Sequence, residues 1–153
     1  MLLAGRNLVP LTVDEQTRAS NVFVGMDGSV NVRYEESTQT AFYVRQDSRG
    51  HEYGEIVFGP DVYPGRSVVD PNSMLSLEAA AAHELTHFHR WREKRELPAG
   101  VKTHLDEALT SLEAALRYGL NLSAHDIRVL VSDAAQRVAI YIAESESPPT
   151  TST

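Results

Sequence analysis

The sequence predicts an α+β fold in which a small antiparallel or mixed sheet in the N-terminal half packs against an HExxH-bearing helix and two further helices. Two observations support this prediction. Runs rich in β-branched residues, separated by turn signals, fill the first sixty residues, whereas the chain from residue 74 onwards reads as long helices broken by Pro and Gly. The 153 residues suffice for one domain with its own core, which we assign to residues 1–145.

The N-terminal segment predicts a short helix and then a β-hairpin. Thr12, with Glu15 three residues later, has the spacing of a capping box. The strand-like runs NVFVG and SVNVRYE follow, and the Asp27–Gly28 pair between them is a strong hairpin signal. We therefore expect the first two strands here.

A second strand pair is predicted in the next thirty residues. The runs AFYVRQ and EYGEIVFG flank the turn-like DSRG, which brings the expected sheet to three or four strands. Because the last run leads towards the helical half, we expect its edge to be available to an extended peptide.

The C-terminal half predicts three helices after a loop. Residues 60–73 contain three prolines and a glycine and are predicted to be that loop. The predicted helices run from Met74 to Leu97, from Thr103 to Tyr118 and from Ser123 to Glu144. The polar, Pro-rich tail of residues 146–153 is predicted to be disordered.

Composition narrows the classes of function. The formal net charge of -7 opposes binding to phosphate backbones, so no nucleic-acid partner is expected. No apolar run approaches the roughly 20 residues that span a bilayer and no secretion signal is recognised, so we expect a cytoplasmic protein with no membrane partner. The chain has no cysteine, so any metal ion must be held by His, Asp or Glu. The oligomeric state is left open.

The segment HELTH carries the strongest chemical signal. His83 and His87 are four residues apart in a predicted helix, so both imidazoles can reach one metal ion from the same face. Glu84 lies beside that face, where it can contact a water molecule as a general base without being a ligand. We therefore predict a metal site with Glu84 as its catalytic residue.

A third protein ligand is expected because catalytic zinc sites usually have three protein ligands and one open position. The residue six positions after His87 is Glu93, which excludes the metzincin arrangement. Glu107, just inside the next helix, is the favoured third ligand because a short Pro/Gly connection would return that helix alongside the first. The alternatives left open are His104, Asp106 and Glu113.

This arrangement resembles the gluzincin group of zinc metallopeptidases, in which an HExxH helix is followed by a glutamate ligand on the next helix. The small size and short connection look most like the compact IrrE-like metallopeptidases, over roughly residues 54–118. The resemblance implies a minimal zincin-like fold, one Zn²⁺ per chain and hydrolysis of an amide bond, with Glu84 taking the proton of the attacking water.

The resemblance also implies supporting residues. Zincins use a Tyr, His or Arg to bind the oxyanion, for which Tyr118, His104 and His125 are candidates. Large gluzincins place an acidic residue four positions after the glutamate ligand to orient a ligand histidine, but this chain has Ser111 there, with Thr110 beside it. We therefore expect Ser111 or Thr110 to support the ligands.

Three classes of function follow. The first is a zinc metalloprotease acting on a specific, intracellular protein or peptide substrate. The second is a catalytically silent zincin-fold protein that binds or regulates a partner, against which the intact Glu84 argues. The third is a metal-dependent hydrolase of a non-peptide amide or ester, which the same ligands would support.

Overall fold

The computed structural model describes residues 5–65, 75–100 and 102–146 and has the α+β fold that the sequence predicts. The elements are α1 (Val13–Met26), β1 (Asn31–Tyr34), β2 (Ala41–Gln46), β3 (Glu52–Phe58), a 3-10 turn (Pro60–Val62), α2 (Leu77–Arg92), α3 (Thr103–Arg117) and α4 (Ala124–Glu146). Residues 66–73 of the predicted loop, Met74 at the predicted start of the next helix, and residues 147–153 of the predicted disordered tail lie outside the described residues. Glu146, assigned to the tail, ends α4.

The predicted first hairpin is wrong, because its first strand is the second half of α1. The capping box is confirmed: Thr12 N–H donates to Glu15 Oε1 at 3.0 Å, and Glu15 N–H donates to Thr12 Oγ1 at 3.2 Å. The helix continues through the β-branched run because Ala19 and Phe23, four residues apart, are both fully buried on its inner face. This burial outweighs strand propensity. Asp27 is the helix C-cap rather than a hairpin residue.

The sheet has three strands in the order β1-β3-β2 and is mixed. The predicted second hairpin is confirmed, since β2 and β3 pair antiparallel from Gln46–Glu52 to Ala41–Val57. β1 pairs with β3 in parallel. The central β3 therefore has a neighbour on each side, and the expectation that its edge would be open to a peptide is wrong. Within the described residues, the edge strand that packs against α2 is β2.

The helices agree with the predicted order, but α2 is shorter than expected. Ser76 caps it by accepting the N–H of Ala79 at 3.1 Å, and it ends at Arg92 rather than Leu97. Residues 93–96 are all charged, so they offer no apolar side chain to extend the buried face, and Lys94 adopts a positive φ of 57°. α3 matches its predicted bounds to within one residue.

The predicted start of α4 is confirmed by a second capping box. Ser123 N–H donates to Asp126 Oδ2 at 3.3 Å, and Asp126 N–H donates to Ser123 Oγ at 3.1 Å. The helix runs two residues beyond the predicted Glu144.

α2 is the central element, because it contacts the sheet and all three other helices. Residues 79–82, all alanine, are buried and let these neighbours approach closely. Leu85 and Phe88 of α2 meet Phe58 and Phe23 in the main core. No helix in the described ranges is both long enough and apolar enough to cross a membrane.

Candidate metal centre

Three potential metal-ligating atoms converge where α2 faces α3. Glu107 Oε2 lies 2.9 Å from His83 Nε2 and 3.2 Å from His87 Nε2, and the two imidazole nitrogens are 3.1 Å apart. The side chains are largely buried, with exposed fractions of 12% for His83, 13% for His87 and 27% for Glu107. In the described part of the chain, this is the one group of three His or acidic side chains close enough to hold a metal ion together.

Helical spacing and one buried ion pair place these side chains. His83 and His87 are one turn apart on α2. The connection to α3 is held by Asp106, whose Oδ1 accepts from Arg90 Nη2 of α2 at 2.6 Å and from the Leu97 N–H at 3.0 Å. Because Asp106 immediately precedes Glu107, these bonds fix the start of α3 with the Glu107 carboxylate against the imidazoles.

A chain of hydrogen bonds orients His83 from behind. His83 Nδ1 lies 2.9 Å from Ser111 Oγ, and that hydroxyl donates to Asp133 Oδ2 of α4 at 2.7 Å. Arg137 Nε donates to the same oxygen at 2.9 Å. A hydroxyl has one hydrogen, so Ser111 must accept from His83 Nδ1–H. In the tautomer that carries its proton on Nδ1, His83 presents the lone pair of Nε2 to Glu107.

The donor set fits a divalent metal ion. A lone pair on His83 Nε2 at 2.9 Å from a Glu107 carboxylate oxygen is repulsive unless a proton or a cation lies between them. Zinc–ligand bonds of about 2.0–2.2 Å place tetrahedral ligand atoms about 3.3–3.6 Å apart, slightly more than the separations of 2.9–3.2 Å found here. Two imidazoles and one carboxylate are also a donor set of catalytic zinc.

The close approach of His83, His87 and Glu107 shifts the pKa values of Glu107 and His87. Burial alone would raise the pKa of Glu107, but the hydrogen bonds and charges of His83 and His87 outweigh it and hold the pKa far below its usual range. Burial alone would lower the pKa of His87, but its hydrogen bond to the Glu107 carboxylate and the negative charges of Glu84 and Glu107 outweigh the burial and raise that pKa. The site therefore attracts positive charge, carried by protons or by a metal ion.

Glu84 lies next to the imidazoles with a free carboxylate. Burial raises its pKa, although the two histidines partly oppose the shift. Among the described residues no hydrogen-bond donor meets this carboxylate. Glu84 lines a cavity of about 300 Å³ together with His83, His87 and Glu107. A half-buried glutamate with a raised pKa, facing open volume beside a candidate metal site, suits a general base.

The structure places the remaining predicted residues away from the three-ligand cluster, with the exception of Ser111. His104 Nε2 faces Glu144 of α4 at 3.6 Å, and its Nδ1 is buried without a hydrogen-bond partner among the described residues. Tyr118 is buried, with its hydroxyl 3.0 Å from His89 Nε2. The Thr110 hydroxyl donates to the carbonyl of Asp106 within α3.

The other candidates are also accounted for. His125 is exposed in the first turn of α4, and Glu113 pairs with Arg90 at 3.3 Å. Sequence reasoning missed Asp133 and Arg137, which also line the cavity. Their one signal in the sequence is an acid and a base four residues apart on a predicted helix, a spacing typical of ordinary surface pairs.

The comparisons with known proteins return no match: no protein-family model, no curated protein and no solved structure is similar to this chain. The functional argument therefore depends on the geometry of the site.

Proposed function

We propose that this chain is a zinc metallopeptidase that holds one Zn²⁺ with His83, His87 and Glu107 and hydrolyses peptide bonds in a specific, intracellular protein target. The observation that carries the proposal is the convergence of three ligand atoms within 3.2 Å of one another, with the free carboxylate of Glu84 beside them at the wall of a cavity. The arrangement also resembles that of the compact gluzincins.

The proposed chemistry divides between the ion and Glu84. A bound zinc ion supplies a Lewis acid that polarises a carbonyl group and brings the pKa of water towards about 7. Glu84 accepts the proton of the attacking water, for which its raised pKa suits it, and donates that proton to the leaving amine. His83, with its proton held on Nδ1 by Ser111, keeps Nε2 free as a ligand.

The edge of β2 supports a peptide as substrate. β2 is an edge strand, and its residues Ala41 and Phe42 line the same cavity as the three ligands. An extended peptide that paired with this edge would run past Glu84, and its backbone hydrogen bonds would provide affinity for peptides of many sequences.

A second candidate function is hydrolysis of a small non-peptide amide or ester. The cavity volume of about 300 Å³, at the lower end of the range for small-molecule sites, favours it.

The proposal is tested with the zinc-loaded chain and its Glu84→Gln variant on a diverse peptide mixture, with cleavage read by mass spectrometry. We expect about one zinc per chain in both proteins, because Glu84 is not a ligand. We expect Glu84→Gln to lower cleavage by roughly 10²–10⁴-fold, the usual contribution of a general base.

Three results would contradict the proposal. One is a chain that takes up no zinc after purification without chelators. Another is a Glu84→Gln variant that cleaves as fast as the unaltered chain. A third is a zinc-loaded chain that cleaves neither peptides nor a panel of small amides and esters, which would favour a binding or regulatory role.

A further inference from the structure

We propose that Asp133 of α4 is a positioning residue of the metal site, acting on His83 through the hydroxyl of Ser111. The inference rests on the proposed metal site, because it assigns Asp133 a role in how tightly that site holds its ion. It makes α4, which provides no ligand, a functional part of the centre.

The first step of the argument is the direction of each hydrogen bond. Asp133 Oδ2 accepts from Ser111 Oγ at 2.7 Å and from Arg137 Nε at 2.9 Å. An ionised carboxylate can only accept, so the single hydroxyl hydrogen of Ser111 points at Asp133. The lone pairs of Ser111 are then left for His83 Nδ1, which lies 2.9 Å away. Asp133 thus determines which nitrogen of His83 carries the proton.

The second step is that Ser111 alone cannot determine which nitrogen of His83 carries the proton. A free hydroxyl can rotate and either donate to or accept from an imidazole nitrogen. Ser111 is fully buried, so no bulk solvent competes for its hydrogen. If Asp133 is removed, the hydroxyl can donate to Nδ1 and favour the opposite tautomer of His83, in which Nε2 carries the proton and cannot be a ligand.

The third step is electrostatic. Ser111 lies four residues after Glu107, one turn along the same face of α3. A carboxylate at that position would add a second negative charge close to the largely buried Glu107 carboxylate and compete with it for the positive charge of the site. Placing the carboxylate one hydrogen bond further away, on α4, separates the two charges, and Arg137 balances Asp133 at 2.9 Å.

The two candidate histidine ligands differ in this respect. His83 has the Ser111–Asp133 chain behind it, whereas no described residue makes a hydrogen bond to His87 Nδ1. Removing Asp133 therefore affects one of the two imidazoles, so we expect a weakened site rather than a lost one. Outer hydrogen-bond partners of metal ligands typically contribute 10–100-fold in metal affinity.

The test measures Zn²⁺ affinity by competition with a chromophoric chelator for the unaltered chain, Ser111→Ala, Asp133→Ala, Asp133→Asn and the Ser111→Ala/Asp133→Ala double variant. We expect each alanine variant to bind zinc about 10–100-fold more weakly. Asp133→Asn should weaken binding less than Asp133→Ala, since the amide oxygen can still accept from Ser111. The double variant should bind no more weakly than Ser111→Ala, because Asp133 acts only through the serine.

Asp126 provides a matched control on the same helix. It also accepts from a serine hydroxyl, Ser76 Oγ at 2.7 Å, and it caps α4, but it is not bonded to a metal-site residue. Asp126→Ala should lower the free energy of unfolding without changing zinc affinity. If Asp133 had only a structural role, Asp133→Ala would likewise lower the free energy of unfolding and leave zinc affinity unchanged. Comparing the two variants therefore distinguishes positioning of the metal site from a contribution to stability.

The outcomes distinguish this inference from the proposed function. If the unaltered chain binds zinc and both Asp133 variants bind it equally tightly, the positioning role is wrong and the metal site stands. If the effects of Ser111→Ala and Asp133→Ala add in full, Asp133 does not act through the serine and the inference is again wrong. If Asp133→Ala does not fold, Asp133→Leu, which is similar in size and cannot accept the hydrogen of the Ser111 hydroxyl, decides by the same criterion. Failure of the unaltered chain to bind zinc overturns both proposals.

Discussion

Two glutamates of α3 show how the surroundings of a residue decide its role. Glu107 Oε2 meets the two imidazoles at 2.9 and 3.2 Å. Glu113, nearly two turns later, accepts from Arg90 at 3.3 Å and also pairs with Arg95. Both glutamates are candidate ligands by sequence, but arginines surround only Glu113. Its charge is therefore already balanced by the protein, whereas that of Glu107 is balanced only by protons or a metal ion.

We predict that Glu107→Ala weakens zinc binding by more than about 100-fold, because a proposed ligand is lost. This exceeds the roughly 10–100-fold effect expected when a hydrogen-bond partner of a ligand is removed. Glu113→Ala is the matched control on the same helix and should leave the affinity unchanged while lowering the free energy of unfolding. Isothermal titration with Zn²⁺ measures both. Equal weakening in the two variants would mean that α3 stability, and not ligation, controls the affinity.

At the scale of elements, Gly54 allows α2 to lie directly on the sheet. An added Cβ at this position in β3 would lie 2.7 Å from Phe42 Cε2 and 2.7 Å from Phe88 Cδ2. Phe88 directly follows His87 on α2, and the two phenylalanine rings pack edge to face with centroids 6.0 Å apart. The close contact therefore sets the height of α2, which carries His83 and His87, above β3.

We predict that Gly54→Ala lowers the free energy of unfolding by about 1–3 kcal/mol, the usual cost of overpacking. Gly25→Ala is the control, since no atom lies within 4 Å of its added Cβ and alanine is favoured over glycine in the last turn of α1. Urea unfolding should show the control to be as stable as the unaltered chain or more so. An unchanged stability of Gly54→Ala would show that α2 can lift from the sheet at little cost.

Two ion pairs that link the end of α2 to α3 are expected to contribute differently to stability, because one is buried and the other is exposed. The Arg90 side chain is 5% exposed and donates to Asp106 at 2.6 Å, whereas the Arg117 side chain is 31% exposed and pairs with Glu93 at 3.3 Å. Removing a buried partner leaves uncompensated charge, whereas an exposed pair is screened by water.

We predict that Arg90→Met destabilises the fold by roughly 3–5 kcal/mol, because Asp106 then loses its cation and the start of α3 loses its anchor. Arg117→Met should cost about 0–1 kcal/mol. Thermal and urea unfolding of both variants would check this contrast. A small effect at Arg90 would show that its carboxylate partners can reach solvent.

Sequence patterns predicted those elements whose signals are local. Thr12 with Glu15 and Ser123 with Asp126 marked helix starts, and the runs around DSRG marked one hairpin. The extension of α1 through NVFVG could not be predicted, since it depends on where Phe23 is buried. The parallel pairing of β1 with β3 depends likewise on contacts that are distant in sequence.

The candidate site shows the same division. His83, Glu84 and His87 follow from helical spacing, and Glu107 follows from a short helix connection. Asp133 could not be predicted, because its contact with Ser111 depends on the register in which α3 and α4 pack. His104 and Tyr118 point towards Glu144 and His89, and no periodicity in the sequence indicates those directions.

At the scale of the whole molecule, the core and the candidate metal centre are separate. The largest fully buried side chains include Phe23, Ile56, Phe58 and Leu85, which join the sheet, α1 and α2 without using a metal ligand. This differs from small zinc-dependent domains, in which the ion replaces a core and metal binding is folding. A catalytic ion is expected to occupy a site that the folded chain has already formed.

We therefore predict that the metal-free chain is folded, with a far-UV circular dichroism spectrum like that of the zinc-loaded chain. Zinc should stabilise the fold only because it binds the folded chain and not the unfolded one. At a free zinc concentration 100 times the Kd, this raises the free energy of unfolding by about 2.7 kcal/mol. For a chain of this size, that corresponds to a rise in Tm of roughly 5–10 °C. Glu84→Gln should show the same rise and Glu107→Ala should lose it, because Glu107 is a proposed ligand and Glu84 is not. Loss of helical signal on adding a chelator would contradict the prediction and make the ion structural. The metal-free chain would then lack the folded site, so the core alone would not hold the ligands in place.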